Sequence, residues 1–283
     1  MGIGNTAAKA LLILRDIPEV DLNNTVFFGR QVDYTSNYLR RKIYKNKQNF
    51  SDISNKYADN LLEYLGFHSY KILDIADYEG ASILHDLNEP IPQTLQKSFT
   101  NVIDIGTSEH IYDVSQSIRN IRDLCAPGGH VVMVSPANSW LGHGFYQFSP
   151  ELFFRSFSDE YGFEVLHVFL VKELFFREKW FSLPDPKKVD QRGSILTKKK
   201  CQLIVIAKKK RNVAALPTPQ QSDYINAWKN PDPSRLGKIF LNLPKSMRTV
   251  LAQTIIPIQM HYRYRLKPIQ FKWKNGAYTF NKS

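Results

Sequence analysis

The chain has 283 residues, 43% hydrophobic and 23% charged, and a net charge of +12 at pH 7. Such a composition belongs to a globular protein able to bury a substantial core and excludes a chain disordered throughout. Cys125 and Cys201 stand far apart and form no Cys-x-x-Cys pair, which excludes a disulfide scaffold or zinc ribbon and favours the reduced thiols of a cytoplasmic protein.

In chain order, Ala7–Leu14 is apolar, but Pro18, Glu19 and Asp21 follow where a signal peptide would carry small residues. Gly2-Ile-Gly4 follows no strand and is not read as a dinucleotide motif. No apolar run reaches the roughly 18–20 residues that span a bilayer. Short apolar runs predict strands at Thr25–Gly29, Tyr70–Ala76, Ser82–His85, Val102–Gly106, His130–Ser135, Glu164–Val171 and Gln202–Ala207. Ser54–Leu65 and Ser115–Leu124 place their apolar residues on one helical face. Near-continuous Val/Ile/Leu runs alternating with helices predict an α/β fold, a doubly wound, mostly parallel seven-stranded sheet covered on both faces. The stretch Lys172–Lys200 reads as an inserted loop containing a short helix, Val171–Phe181. Ala214–Pro219 and Asn230–Pro233 read as linkers, dividing the chain into an α/β domain (1–211) and a basic, aromatic C-terminal extension (212–283).

The positive charge is uneven. Lys198–Lys200 and Lys208–Arg211 flank the last predicted strand, and from Lys238 to Lys282 there is no Asp or Glu. Such a surface attracts anions, whether nucleic acid, phospholipid, sugar nucleotide or acidic glycan, or is simply a solvated face. No nucleic-acid-binding signature accompanies it, so nucleic acid is disfavoured as a partner. Tyr262–Pro268, with Phe271, Trp273 and Tyr278, interleaves basic and aromatic residues. That pattern suits an anionic membrane surface, a homo-oligomer interface or a packed extension. A cytoplasmic location, with peripheral contact to a membrane surface, is the expectation.

Four segments in the middle of the chain carry the chemistry: KILDIADYEG, ILHDLNEPIP, FTNVIDIGTSEHIYDV and LCAPGGHVVMVSP. Asp74 ends an apolar run, where a carboxylate can accept both hydroxyls of a ribose; Asp77 is near enough to compete, and either acid can instead cap a helix. Gly106 permits close backbone approach. The order and spacing of these segments resemble class I S-adenosylmethionine-dependent methyltransferases, closest to those whose fourth strand ends in a Glu-His pair. The resemblance covers Thr25–Ala207.

The resemblance implies S-adenosylmethionine as cofactor, with Asp74 or Asp77 on the ribose, Asp86 on the adenine amine and the backbone at Leu87 reading the ring; as residues alone, Asp86-Leu-Asn-Glu-Pro90 equally reads as a plain turn. It also implies that Gly106, Thr107, Glu109 and His110 face the cofactor crevice. One departure stands out. The glycine-rich loop after the first strand is reduced to Gly29, followed by Arg30 and Gln31. Either Arg30 pairs with the cofactor carboxylate, which a guanidinium suits, or the pocket is remodelled and the domain does not methylate.

After the fifth predicted strand, Pro136–Pro150 gathers Trp140, His143, Tyr146 and Gln147 among glycines, where loops of this fold carry function. Trp140 and Tyr146 suit stacking on a sugar or ring, Gln147 is a further candidate for substrate binding, and an aromatic loop closing over the core is the plainer alternative. His143 is the preferred base and His110 the second. No metal-ligand spacing is present, and methyl transfer requires no metal. The expected function is O-methylation of a small polar or glycan acceptor. A non-catalytic interaction partner of the same fold and a nucleic-acid methyltransferase are the alternatives.

Overall fold

The computed structural model describes residues 2–44, 56–174, 177–189, 195, 197–214, 217–229, 239–255, 266–274 and 277–280. The chain enters through a short strand, β1 (Gly2–Ile3), and a helix, α1 (Asn5–Arg15). Ala7, Ala8 and Ala10–Leu14 are all buried, so the first apolar segment is a core helix. β2 (Thr25–Phe28) follows, then β3 (Val32–Asp33), which pairs in parallel with β1, and the helix α2 (Asn37–Ile43).

The main sheet continues with β4 (Tyr70–Asp74), β5 (Ile83–Leu84), β6 (Phe99–Ile105), β7 (Cys125–Pro136), β8 (Phe163–Leu174), β9 (Arg177–Ser182), β10 (Cys201–Lys209) and β11 (Lys267–Ile269). Its order is β11-β9-β8-β10-β7-β6-β2-β4-β5. All seven predicted strands are present. The five from β5 to β7 in this order pair in parallel. β10 is antiparallel to both β7 and β8, between which it is inserted. In terms of the seven predicted strands, the order is third, second, first, fourth, fifth, seventh, sixth, with the seventh reversed. That is the arrangement of the class I methyltransferase fold, here extended at one edge by β9 and β11.

The short helix expected at Val171–Phe181 is not formed. Arg177–Ser182 instead makes an antiparallel hairpin with β8, from Leu174↔Arg177 to Phe169↔Ser182. Cross-strand packing decides the outcome: Trp180 is buried edge-on against Phe169, with ring centroids 5.5 Å apart. β11, from the basic tail, then pairs with β9.

The period of two along β2 separates the layers. Val26 and Phe28 join one apolar cluster with Ile118, Ile121 and Leu124 of α4 (Val114–Leu124). Phe27 joins the other, with α1 and Leu61, Leu62 and Leu65 of α3 (Asp59–Leu65). The helix expected at Ser54–Leu65 thus begins at Asp59; residues 51–55 lie outside the described residues. Asp113 caps α4 by accepting from Gln116 N at 2.9 Å.

From β2 the chain first builds one side of the sheet, through β4 and β5, and then the other, through β6 and β7. The carboxyl ends of β2 and β6 therefore flank the switch-point crevice, where ligands of doubly wound sheets bind.

His130 is buried in β7, opposite Lys208 of β10 in the ladder. Burial, reinforced by Lys208, depresses its pKa to about 4. The unfolded ring titrates near 6.5, so from there down to about 4 only the unfolded chain takes up this proton. Stability is unaffected by this group above that window and declines as the pH falls through it. Urea denaturation at pH 7, 5 and 4 should show a steeper loss for the native chain than for His130→Gln; parallel losses would contradict the assignment.

Candidate functional site

At the crevice, Gly29 follows β2 with φ 71° and donates its N–H to Leu73 O at 2.8 Å. Gly106 follows β6 with φ 81°, a left-handed conformation that glycine adopts without a side-chain clash. Between them, Thr107 Oγ1 donates to Phe28 O at 3.0 Å and locks the two strand ends together. Asp74 ends β4 half-buried, and its Oδ1 accepts from Ile75 N at 2.7 Å.

Asp104 in β6 is fully buried. It accepts from Thr107 N at 2.9 Å, Ser108 N at 3.3 Å and Ser108 Oγ at 2.5 Å. These bonds wind Ser108–His110 into a 3-10 turn and present Glu109 and His110. Burial raises the pKa of Asp104 against the pull of those hydrogen bonds. Burial, then the Asp104 carboxylate, push Glu109 up to about 8.

The loop after β7 closes onto this turn. Glu109 O accepts from Phe145 N at 2.8 Å and Tyr146 N at 3.2 Å. A Cβ on Gly144 would lie 2.8 Å from Glu109 O and 3.1 Å from His110 Nδ1, so the approach requires glycine. The His143 ring centroid lies 5.1 Å from that of His110 and 4.8 Å from that of Trp140. His143 Nε2 lies 3.7 Å from Glu109 Oε1. Burial, and then His143, lower the pKa of His110. Lys200 Nζ sits 4.3 Å from the centroid of the Trp140 ring.

Glu109, His110, Trp140 and His143 line a cleft of about 940 Å³ at the ends of β6 and β7. Another wall is the amino end of α1, with Gly2, Gly4, Asn5 and Thr6, joined by the rings of Tyr34 and Tyr38. Sequence reasoning missed this wall. The signal available was the pair of glycines ahead of an apolar helix.

Of the residues expected at the site, Gly106, Glu109, His110, Trp140 and His143 share the cleft. Gly29, Asp74 and Thr107 lie at the crevice. Asp77 is exposed in a turn closed by Gly80 N to Asp77 O at 2.7 Å. Asp86 Oδ1 accepts from Asn88 N and Nδ2 at 2.9 and 2.8 Å, which lower the Asp86 pKa. Leu87 is buried, and its carbonyl accepts from Asn120 Nδ2 at 3.0 Å. Tyr146 and Gln147 brace the loop from outside the cleft. Tyr146 donates to Tyr112 O at 2.7 Å, and Gln147 Oε1 accepts from Trp140 N at 3.1 Å. Arg30 pairs with Asp59 at 2.5 Å and lies over the Tyr57 ring. Buried Gln31 donates to Phe28 O at 3.1 Å and Gly29 O at 3.2 Å, leaving Oε1 without a hydrogen-bond partner among the described residues.

No protein-family model and no curated protein sequence matches the chain. Solved structures similar to it include a methyltransferase in complex with the Trm112 activator from Haloferax volcanii, at 15% identity and TM-score 0.40, covering 72% of this chain and 90% of that one. A methyltransferase from Thermotoga maritima shows 15% identity and TM-score 0.39, covering 72% and 89%. One from Bacillus halodurans shows 10% identity and TM-score 0.40, covering 71% and 99%. The strand order, rather than these distant likenesses, identifies the fold.

Asp104→Ala would strand two backbone donors at the start of this turn, Thr107 N and Ser108 N, whereas Ser108 Oγ keeps Ser117 Oγ at 2.8 Å. At about 1–3 kcal/mol for each donor left unsatisfied, a loss of about 2 kcal/mol or more is expected. Chemical denaturation measures it, and a change below about 1 kcal/mol would mean that the turn is held otherwise.

Proposed function

We propose that the protein is an S-adenosylmethionine-dependent methyltransferase acting on a hydroxyl of a small polar or glycan acceptor. The observation that carries this reading is the junction at Gly106. There the switch-point crevice, with Asp74 and Gly29, meets the cleft that holds Glu109, His110, His143 and Trp140.

The crevice residues suit the cofactor. Gly29 and Gly106 present no side chain at adjacent strand ends, Asp74 offers Oδ2 to a ribose diol, and Gln31 Oε1 is a buried acceptor without a donor among the described residues. When bound, S-adenosylmethionine supplies a methyl group activated by a sulfonium. The protein's tasks are alignment and removal of the acceptor's proton. His143, half-exposed at the cleft wall and near Glu109, takes that proton, with His110 second. Trp140, Tyr34 and Tyr38 provide ring faces, and Asn5 and Ser36 polar groups, for a sugar-like acceptor.

Exposed Ile239, Leu241, Met247 and Val250 lie beside Lys245 and Arg248 in sequence, supporting contact of the basic tail with an anionic surface. A second reading, a non-catalytic interaction protein, is favoured by Gln31 and Thr107. Their side chains already occupy Phe28 O, and Gln31 also occupies Gly29 O.

Calorimetric titration with S-adenosylmethionine and its demethylated product decides between the two. Micromolar binding, weakened at least about tenfold by Asp74→Ala, is expected, as for a lost hydrogen bond to a charged group. No heat and no thermal shift at millimolar ligand would favour the non-catalytic reading.

A further inference from the structure

We propose that Glu109, His110 and His143 form a binding site for a divalent transition-metal cation. One ligand atom from each residue lies within 4.8 Å of the other two. A tetrahedral site with bonds of about 2.0–2.1 Å needs its donors about 3.4 Å apart. The His143 Nε2 to Glu109 Oε1 separation of 3.7 Å is already close to that, and the widest pair needs to close by little more than an ångström.

Glu109 supplies the second observation. Its side chain is 1% exposed, and Oε2 has no hydrogen-bond partner among the described residues. A buried acceptor without a donor is rare in folded proteins, and a cation held by both carboxylate oxygens, Oε1 toward His143 and Oε2 beside it, would satisfy it. Two imidazoles and one carboxylate suit zinc, cobalt, iron(II) or manganese, whereas magnesium and calcium favour all-oxygen sites.

The surroundings hold the ligands in place. Asp104 fixes the turn carrying Glu109 and His110, and Phe145 N and Tyr146 N fix the His143 loop to Glu109 O. Gly144 permits the close approach of that loop to His110. Both histidines are exposed to the cleft, so the remaining coordination positions open onto it, as in catalytic rather than structural metal sites.

Occupancy of the site stands on these side chains alone, whereas its role rests on the methyl-transfer reading. In the loaded protein the acceptor hydroxyl takes an open position, and its proton leaves more readily to water. His143 is then a ligand; it is the proton acceptor when the site is empty.

The test uses the full chain, freed of metal with a chelator and titrated with Zn²⁺ and Co²⁺. One equivalent should bind, and Co²⁺ should develop the visible absorption of a low-coordinate site. Glu109→Gln, His110→Ala and His143→Ala should each weaken binding by more than about 100-fold, beyond the usual effect of outer-shell changes. Gly144→Ala should weaken it about tenfold with every ligand retained. His68→Ala, exposed and outside the site, should leave it unchanged. Thermal unfolding confirms that each variant is folded. Absence of stoichiometric binding, or binding indifferent to His143→Ala, would overturn the proposal. Metal binding without cofactor binding would keep the site and overturn its catalytic role. Cofactor binding without metal binding would overturn the site and leave His143 as the base.

Discussion

The buried carboxylate of Asp104 is the constraint from which the site is built. A carboxylate removed from water needs donors, and here the next turn of the chain supplies three. Satisfying it forces the backbone past Gly106 into a tight turn that sets Glu109 against the sheet and His110 toward the cleft. The carbonyl of Glu109 then captures two amides of the loop after β7, and this closure brings His143 across. A burial requirement inside β6 thereby places side chains contributed by two separate loops.

The sheet was legible in the sequence because its central strands are buried on both faces and read as unbroken Val/Ile/Leu runs. α1 was not, because its apolar residues surround the helix with no polar stripe to mark a period. β9 was misread as helix because Trp180 and Phe181 reveal their partner only once β8 lies beside them. For the site, Glu109 and His110 were legible as candidates only through the family resemblance, which set them at the cofactor crevice; they line the cleft beyond Gly106. Their proximity to His143 was not, since it depends on backbone hydrogen bonds that leave no mark beyond Gly144. Tyr146 and Gln147 carry the residue types of a binding surface and also brace the loop, through Tyr112 O and Trp140 N.

The altered turn after β2 is the point of tension. Arg30, committed to Asp59 and Tyr57, is drawn toward α3, while Gln31 folds back onto the carbonyls of Phe28 and Gly29. Two glycines in left-handed conformation still leave the adjacent strand ends open. A ligand entering there meets Asp74 at the end of β4 and a Gln31 oxygen that has no partner among the described residues. Recognition would thus pass from a glycine-rich backbone to side chains, a change that keeps the crevice but alters its donors and acceptors.

The central claim is that crevice and cleft serve one reaction through their junction at Gly106. A crystal structure with the demethylated cofactor product bound tests it most directly. The account predicts the ribose on Asp74, with the sulfur end passing Gly106 toward His143. A product lying wholly within the cleft, or an empty crevice at saturating ligand with Gln31 still on Phe28 O and Gly29 O, would contradict it.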